Sequence, residues 1–198
     1  MLKQLFNSPK TQNRLDNIVA ETPPMPCICI VGFSDSGKTG VTVALVTALR
    51  QNGLRVGTIK HDVHGFEMDH HGKDSWRHKQ AGALTTIISS PHQIGMVRDV
   101  DYDHQPHELL PLFSGMDIVL IEGFKRANLP KIEVHRPENK KMPACKDDPF
   151  LLAVVSNAPL QWGVPVYSFK NIQALADLII MKFALNPQEG SHLKKMSS

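Results

Sequence analysis

The sequence predicts an α/β fold with a mainly parallel sheet flanked by helices. Short apolar, β-rich runs alternate with helical patterns from Cys27 onward, which is typical of such sheets. Several runs are continuously apolar, as expected for strands covered on both faces: "CICIV", "IVLI" and "LLAVV". A chain of 198 residues, 41% hydrophobic and 21% charged, can bury one core of this kind. We therefore expect one domain over residues 26–187.

The first half of the domain is predicted to alternate between strands and helices. A strand "CICIV" and a loop precede the helix "KTGVTVALVTALRQ", which should stop at Asn52 and Gly53. The second strand is "LRVGTIK", and a long polar loop then leads to a short helix in "KDSWRHKQAGA". Two candidate strands follow, "LTTIISS" and "QIGMV", and then a helix around "HELLPLF" that Pro111 interrupts or ends.

The second half contains four strand candidates and a closing helix. The strands are "DIVLIEGF", "KIEVHR", "FLLAVV" and "VPVYSF", and the helix "NIQALADLIIMKFAL" should begin at Asn171. Residues 1–25 are polar and end in the proline cluster "TPPMP", which predicts a flexible N-terminal extension. Residues 188–198 are predicted to form a disordered tail.

The composition of the chain limits which partners and which cellular compartment we expect for the protein. The net charge of +3 is small and scattered, which argues against nucleic acid as a partner. The 3 cysteines have no Cys-x-x-Cys spacing, so neither a disulfide framework nor a thiolate zinc site is predicted. No apolar run reaches the roughly 18 residues of a membrane span, and the N-terminus lacks the apolar block of a signal peptide. We predict a cytoplasmic protein with reduced thiols and no membrane partner.

The segment "GFSDSGKT", residues 32–39, matches Gly-x-x-x-x-Gly-Lys-Ser/Thr, a loop that cradles nucleotide phosphates. It lies between a predicted strand and a predicted helix, so that backbone amides and the helix dipole can attract an anion. Lys38 is the catalytic candidate that would contact the terminal phosphates, and the Thr39 hydroxyl would bind Mg²⁺. The Asp35 carboxylate should face solvent or a partner because it would repel phosphate. The predicted nucleotide-binding residues of this segment are Gly32, Ser34, Asp35, Ser36, Gly37, Lys38, Thr39 and Gly40.

Two further acidic residues are expected beside this loop. Ligands of open parallel sheets lie beyond the carboxyl ends of the strands, and Glu122 leaves "DIVLIEGF" at that end. Glu122 is therefore the second predicted Mg²⁺ ligand, whereas Asp117 enters the same strand at the opposite end and suits a turn or cap. The run "VGTIKHD" places Asp62 at the ligand edge. Asp62 is a candidate metal ligand or catalytic, water-positioning residue.

The loop at residues 61–78 contains five of the 10 histidines, together with several acidic residues. Imidazole and carboxylate groups could form a transition-metal site. Alternatively, a long loop beside a rigid sheet could close over a nucleotide or bind a partner. The histidine spacings match no compact metal motif, which favours the second interpretation.

Three segments of the chain resemble the molybdopterin-guanine dinucleotide biosynthesis protein B family: "GFSDSGKT", "RVGTIKHDVHGFEMDHHGKDSWRHKQAGA" and "DIVLIEGFKRANLPKIEVHR". The resemblance extends over about residues 26–185. It implies a P-loop NTPase-like fold and a homodimeric GTP-binding adapter with weak GTPase activity. It also implies association with the guanylyltransferase that joins GMP to the molybdenum-pterin cofactor. By resemblance, residues 32–39 would hold GTP, Thr39 and Glu122 would bind Mg²⁺, and residues 61–78 would line the nucleotide and partner surface.

No motif for guanine recognition is present in the sequence. Many GTPases use Asn/Thr-Lys-x-Asp after a strand, and the nearest match, "NKKM" at residues 139–142, lacks the aspartate and follows no apolar strand. The loop "SNAP" follows the strand "LLAVV" at its carboxyl end, so Ser156 and Asn157 are candidates for base contacts. The choice of guanine over adenine therefore depends on the resemblance alone.

Two other functions are compatible with the motifs. A small-molecule kinase could use the same phosphate loop with Asp62 as its general base, and a GTP-dependent metal chaperone could use the histidine-rich loop. Fast phosphoryl transfer needs a positioned water and an added cation. No glutamine stands at a predicted strand end, and only Arg77 or Arg126 could be guessed as the cation. Any GTP hydrolysis should therefore be slow.

Overall fold

A computed structural model describes residues 25–186 of the chain. In chain order the elements are β1 (Cys27–Val31), α1 (Lys38–Gln51), β2 (Val56–Lys60), α2 (Asp74–Gln80), β3 (Thr85–Ser89), β4 (Ile94–Arg98), α3 (Pro106–Leu109), β5 (Ile118–Glu122), β6 (Lys131–Val134), β7 (Leu151–Val155), β8 (Val166–Tyr167) and α4 (Ile172–Lys182). Two 3₁₀ turns cover Leu110–Phe113 and Pro137–Asn139. Within residues 25–186, none of the helices has the length and apolar character that crossing a membrane requires.

Six strands form one parallel sheet in the order β2-β5-β1-β6-β7-β8. This confirms the predicted parallel α/β architecture. The first strand, β1, lies in the middle of the sheet, with β5 on one side and β6 on the other. All six carboxyl ends meet at one edge, and the chain turns from β1 into α1 at that edge. The centre of this edge is where an open parallel sheet places its ligand.

The two faces of the sheet are covered differently. Helices α1 and α4 pack together on one face, where Leu45, Leu49 and Leu175 are buried against the strands. The other face is covered by α3, the following 3₁₀ turn and apolar loop residues that pack on Cys29, Ile121 and their neighbours. The predicted flanking helices are therefore present, but long helices cover only one face of the sheet. Apolar side chains in the connecting segments make a second helical layer unnecessary.

Strands β3 and β4 lie outside the parallel sheet and form an antiparallel hairpin. Both strands were expected from the sequence, but their partners were not. Only residues 90–93 connect them, which is too short for the crossover that a parallel pair needs. Large apolar side chains of this hairpin are exposed, among them Ile87, Ile88 and Ile94.

Most of the predicted helix boundaries are confirmed. Helix α1 ends at Gln51. Its C-cap is Asn52, whose backbone N–H bonds to the Ala48 carbonyl oxygen at 3.2 Å, and Gly53 follows with φ 78°. Pro111 lies in the 3₁₀ turn after α3, as an interrupted helix predicts, and Asn171 precedes α4. The proposed N-terminal extension and C-terminal tail lie outside the described residues, apart from Met25.

Asp117 lies just before β5, at the amino end of the sheet, as predicted. Its carboxylate accepts hydrogen bonds from the Arg55 backbone N–H (2.6 Å), Nε (3.2 Å) and Nη2 (2.8 Å). The Arg55 side chain lowers the pKa of Asp117, and this outweighs the opposing effect of partial burial. Asp117 therefore stabilises the pairing of β2 with β5 at the end of the sheet opposite the ligand edge.

Strand β6 contains two charged residues that are each only 1% exposed, Lys131 and Glu133. Lys131 Nζ donates to the carbonyl oxygens of Ala127 (2.6 Å) and Leu129 (3.3 Å), and it lies 3.0 Å from Asp148 Oδ2. The Glu133 carboxylate accepts the backbone N–H groups of residues 144 (2.6 Å) and 145 (2.8 Å). These buried charges hold the loops that precede β6 and β7, since buried ions need such partners.

Candidate functional site

The loop between β1 and α1 has a backbone conformation that requires glycine at two positions. Gly32 has φ 145°, and a Cβ there would lie 2.4 Å from the Val134 carbonyl oxygen and 2.8 Å from Ser36 Oγ. Gly37 has φ 95° and immediately precedes the first residue of α1. Within residues 25–186, the buried Ser36 hydroxyl has no hydrogen-bond partner. A buried polar group of this kind calls for a ligand or water, which suits a phosphate oxygen.

The exposed part of the loop carries no second basic residue. Ser34 and Asp35 are exposed, and Asp35 has φ 62°, so its side chain projects toward solvent as expected. Gly40 lies in the first turn of α1, where a Cβ would meet no atom within 4 Å. These three residues place no side chain across the phosphate loop.

Lys38 and Thr39 begin α1 with their functional groups at the ligand edge. Lys38 Nζ donates to the Phe33 carbonyl oxygen at 2.9 Å, which folds the ammonium group across the loop. Thr39 Oγ1 donates to Glu122 Oε1 at 2.9 Å, so the structure brings together the two predicted Mg²⁺ ligands from α1 and β5. A hydroxyl and a carboxylate are the hard oxygen donors that Mg²⁺ prefers.

Asp62 does not join this pair. Its side chain is exposed, and Oδ1 accepts the His64 backbone N–H at 3.0 Å, which forms a local turn. Neither Thr39 nor Glu122 makes a hydrogen bond with it. The catalytic and metal-binding roles of Asp62 stay predictions.

His61, the neighbour of Asp62, is held more firmly at the end of β2. Its backbone N–H donates to the Glu122 carbonyl oxygen at 3.0 Å, and its ring stacks on Phe124 with centroids 4.1 Å apart. Nε2 lies 3.0 Å from each carboxylate oxygen of Asp103. A Cβ at Gly123 would lie 2.9 Å from His61 Cβ, so the glycine permits this close approach. The sequence did not indicate Asp103, which lies 42 residues away.

Two cavities lie beside His61 at the start of the histidine-rich loop, and one of them also reaches the phosphate loop. One of about 500 Å³ is lined by residues that include Gly32, His61, Gly123 and Arg126. The other, of about 650 Å³, lies between residues 59–66 and the segment 96–112. Residues 61–78 thus begin beside the nucleotide loop, as a closing or docking loop would. Among the residues that the structure describes, no group of three histidine, cysteine or acidic side chains is arranged to hold a metal ion.

The predicted base-contact residues lie beyond β7, on the other side of β1. Ser156 is buried, and its Oγ accepts the Ala158 backbone N–H at 3.2 Å, whereas Asn157 is exposed. Asn157 Oδ1 accepts the Phe169 backbone N–H at 3.4 Å. The Phe169 ring in turn lies 3.5 Å from the position of a Cβ on Gly37. The "SNAP" loop therefore connects to the phosphate loop through one aromatic side chain.

Arg136 completes this side of the site, and no motif in the sequence indicates its role. It follows β6, and its Nε donates to the Ser36 carbonyl oxygen at 2.9 Å. Its guanidinium lies over the Phe169 ring, 4.3 Å from the centroid. The strand-end rule that selected Glu122 applies equally to Arg136, because β6 is the other neighbour of β1.

These features define a P-loop NTPase-like protein. The central strand leads through a loop bounded by two glycines into a helix that starts with Lys-Thr, and a carboxylate from the adjacent strand lies beside that helix start. Comparison with known families is consistent with this class. The model of the family described as "Molybdopterin guanine dinucleotide synthesis protein B" matches residues 27–157, and the chain belongs to this family.

Relatives and solved structures agree with the family. The molybdopterin-guanine dinucleotide biosynthesis adapter protein of Haemophilus influenzae is 35% identical over 157 residues, which cover 78% of this chain and 88% of the relative. The adapter protein of Escherichia coli is 32% identical over 167 residues, which cover 79% and 92%. The crystal structure of Bacillus subtilis MobB superposes with a TM-score of 0.64 at 25% identity and covers 82% of this chain and 99% of that one.

Proposed function

We propose that the chain is a cytoplasmic GTP-binding adapter in the biosynthesis of molybdopterin guanine dinucleotide, which assists a guanylyltransferase and hydrolyses GTP slowly. Family membership supports the biosynthetic role, since relatives at 35% and 32% identity are named as adapters in this pathway. The guanine base, the metal and the partner enzyme are the parts of the proposal that go beyond family membership.

The observation that carries the nucleotide part of the proposal is the Thr39–Glu122 hydrogen bond of 2.9 Å. Thr39 and Glu122 would supply two oxygen ligands, and the adjoining loop contributes the Lys38 ammonium and a buried Ser36 hydroxyl that has no partner among residues 25–186. Mg²⁺ in phosphate sites binds few protein ligands and shares the terminal phosphates of the nucleotide. When bound, the ion would neutralise developing phosphate charge, while Lys38 and the loop amides orient the phosphates.

Slow hydrolysis is consistent with the groups around the cavity beside Gly32. His61 is held by Asp103 and Phe124 rather than aimed at the phosphate loop, and Arg126 lines the same cavity with an exposed side chain, so neither a water-positioning group nor a cation is fixed there. Arg77 is different, because it is exposed and lies 4.0 Å from Asp74 on the same helix. An adapter needs the nucleotide mainly as a bound ligand, and a loosely placed cation suits that role.

The homodimer is supported by the hairpin of β3 and β4. Its exposed apolar side chains belong to an element that packs little on the parallel sheet. Contiguous apolar surface on a small protein usually marks an interaction site. A second copy of the chain could cover this surface.

Glu122→Gln is expected to remove the Mg²⁺ dependence of GTP binding. In the unaltered protein, Mg²⁺ should tighten GTP binding relative to EDTA, and the variant should lose most of that gain because a neutral amide is a weaker ligand for Mg²⁺ than a carboxylate. Isothermal titration with and without Mg²⁺ measures this difference. Asp117→Asn, at the opposite end of the same strand, is the matched control and should behave as the unaltered protein does. Equal Mg²⁺ dependence in Glu122→Gln would exclude Glu122 as a metal ligand.

The adapter role is tested by co-precipitation of the guanylyltransferase from the same organism with purified chain. We expect the immobilised protein to retain the enzyme. Val63, Phe66 and Met68 are exposed apolar residues of the histidine-rich loop, and a variant with serine at these three positions should retain the enzyme more weakly. Absence of any retention, with and without GTP, would contradict the proposed partnership.

A further inference from the structure

The guanidinium of Arg136 is fixed at one end and free at the other. Nε donates to the Ser36 carbonyl oxygen, and the group stacks on Phe169. Within residues 25–186, neither terminal nitrogen makes a hydrogen bond or an ion pair. Arg136 is partly buried beside the phosphate loop, and Nη2 lies 3.3 Å from the position of a Cβ on Gly37. A positioned guanidinium with two unused donor groups points to a ligand with matching acceptors.

The position of Arg136 corresponds to the nucleoside side of the site. The oxygen ligands Thr39 and Glu122 lie on the β5 side of β1, and a metal ion held there contacts the terminal phosphates. The nucleoside must therefore leave the loop on the opposite side, toward β6, β7 and β8. Arg136 follows β6, and Asn157 and Phe169 follow β7 and β8 at the same edge.

The chemistry of the free donors favours guanine. Guanine presents two acceptors, O6 and N7, on one edge, and an arginine fork donates to both. Adenine presents N7 beside the N6 amino group, which is a donor and would face the arginine donors without pairing.

We propose that Arg136 recognises the guanine base, with its terminal N–H groups donating to O6 and N7 while Phe169 and the Ser36 carbonyl hold the guanidinium in place. This proposal rests on the proposed binding of GTP. It explains how the chain could select guanine over adenine without an Asn-Lys-x-Asp motif. Asn157 and Ser156 are then neighbours of the base, and Arg136 is the residue that distinguishes guanine from adenine.

The test compares dissociation constants of GTP, ATP and 7-deaza-GTP, which lacks the N7 acceptor, for the unaltered protein and Arg136→Gln. In the unaltered protein, 7-deaza-GTP should bind on the order of tenfold more weakly than GTP, and ATP more weakly still. Glutamine pairs with N6 and N7 of adenine. Arg136→Gln should therefore lose roughly tenfold to a hundredfold in GTP affinity with no loss for ATP, and it should bind GTP and 7-deaza-GTP alike.

Two results would overturn the proposal. The first is an equal loss for GTP and ATP in Arg136→Gln, which would make Arg136 a brace of the phosphate loop. The second is equal affinity of the unaltered protein for GTP and 7-deaza-GTP, a measurement that needs no variant. ATP binding as tight as GTP binding in the unaltered protein is a separate outcome, because it would also remove guanine from the proposed function.

Discussion

Lys38→Ala is expected to abolish nucleotide binding while the chain stays folded. The ammonium group lies over the phosphate loop, where it donates to the Phe33 carbonyl oxygen at 2.9 Å, and it would exchange this bond for phosphate oxygens. A hydrogen bond to a charged group contributes about 1.5–3 kcal/mol. Two such bonds to phosphates correspond to a loss of at least about a hundredfold in affinity.

The measurement is GTP affinity by titration calorimetry, together with thermal unfolding in the absence of nucleotide. Arg50→Ala is the matched control, because Arg50 is an exposed basic residue in the last turn of the same helix, far from the loop. It should leave GTP affinity unchanged, and both variants should unfold close to the unaltered protein. Undiminished GTP affinity in Lys38→Ala would show that the loop does not hold phosphate.

The parts of the site that the sequence predicted are those that depend on local rules. The loop motif identifies Lys38 and Thr39 directly, and a strand-end rule is enough to prefer Glu122 over Asp117. The 2.9 Å contact between Thr39 and Glu122 needs only that β5 be the neighbour of β1. Local pattern and sheet geometry therefore lead to the same pair.

The residues that the sequence did not reveal depend on long-range contacts. Asp103 reaches His61 from a segment 42 residues further along, and Arg136 reaches Ser36 across 100 residues. The hairpin of β3 and β4 is a similar case, since strand-like composition does not specify which strands pair. Asp62 shows the converse, because a position at the strand end does not determine where an exposed side chain points.

Strand β6 shows why composition can mislead about burial. The alternating charged residues of "KIEV" would suit a strand with one face in solvent, yet Lys131 and Glu133 are each 1% exposed. Charged residues are almost never buried unless they are paired, and their partners here come from loops that the strand pattern does not specify. These residues, which helped to identify the family, thus support the site by fixing its loops.

Asp148→Ala is expected to destabilise the fold by about 3 kcal/mol, because it leaves the buried Lys131 ammonium without a carboxylate, with only carbonyl oxygens and the Phe150 ring as partners. Asp148 itself is 23% exposed, so the lower end of the range for broken buried pairs applies. The double variant Lys131→Met with Asp148→Ala is the control. It removes both charges and should recover most of the lost stability. Urea unfolding measures all three free energies.

The same pair predicts a dependence on pH with a definite sign. Burial acts to raise the pKa of Asp148, but the Phe150 backbone N–H and the contacts with Lys131 outweigh it, and the pKa lies below its ordinary value. A lowered native pKa contributes stability that is present above the unfolded pKa of about 3.9 and is lost as the pH falls through the native value. The difference between the unaltered protein and Asp148→Ala should therefore be constant near pH 7 and shrink below about pH 4. A difference under about 1 kcal/mol at pH 7, or one that grows on acidification, would show that the carboxylate does not neutralise the buried lysine.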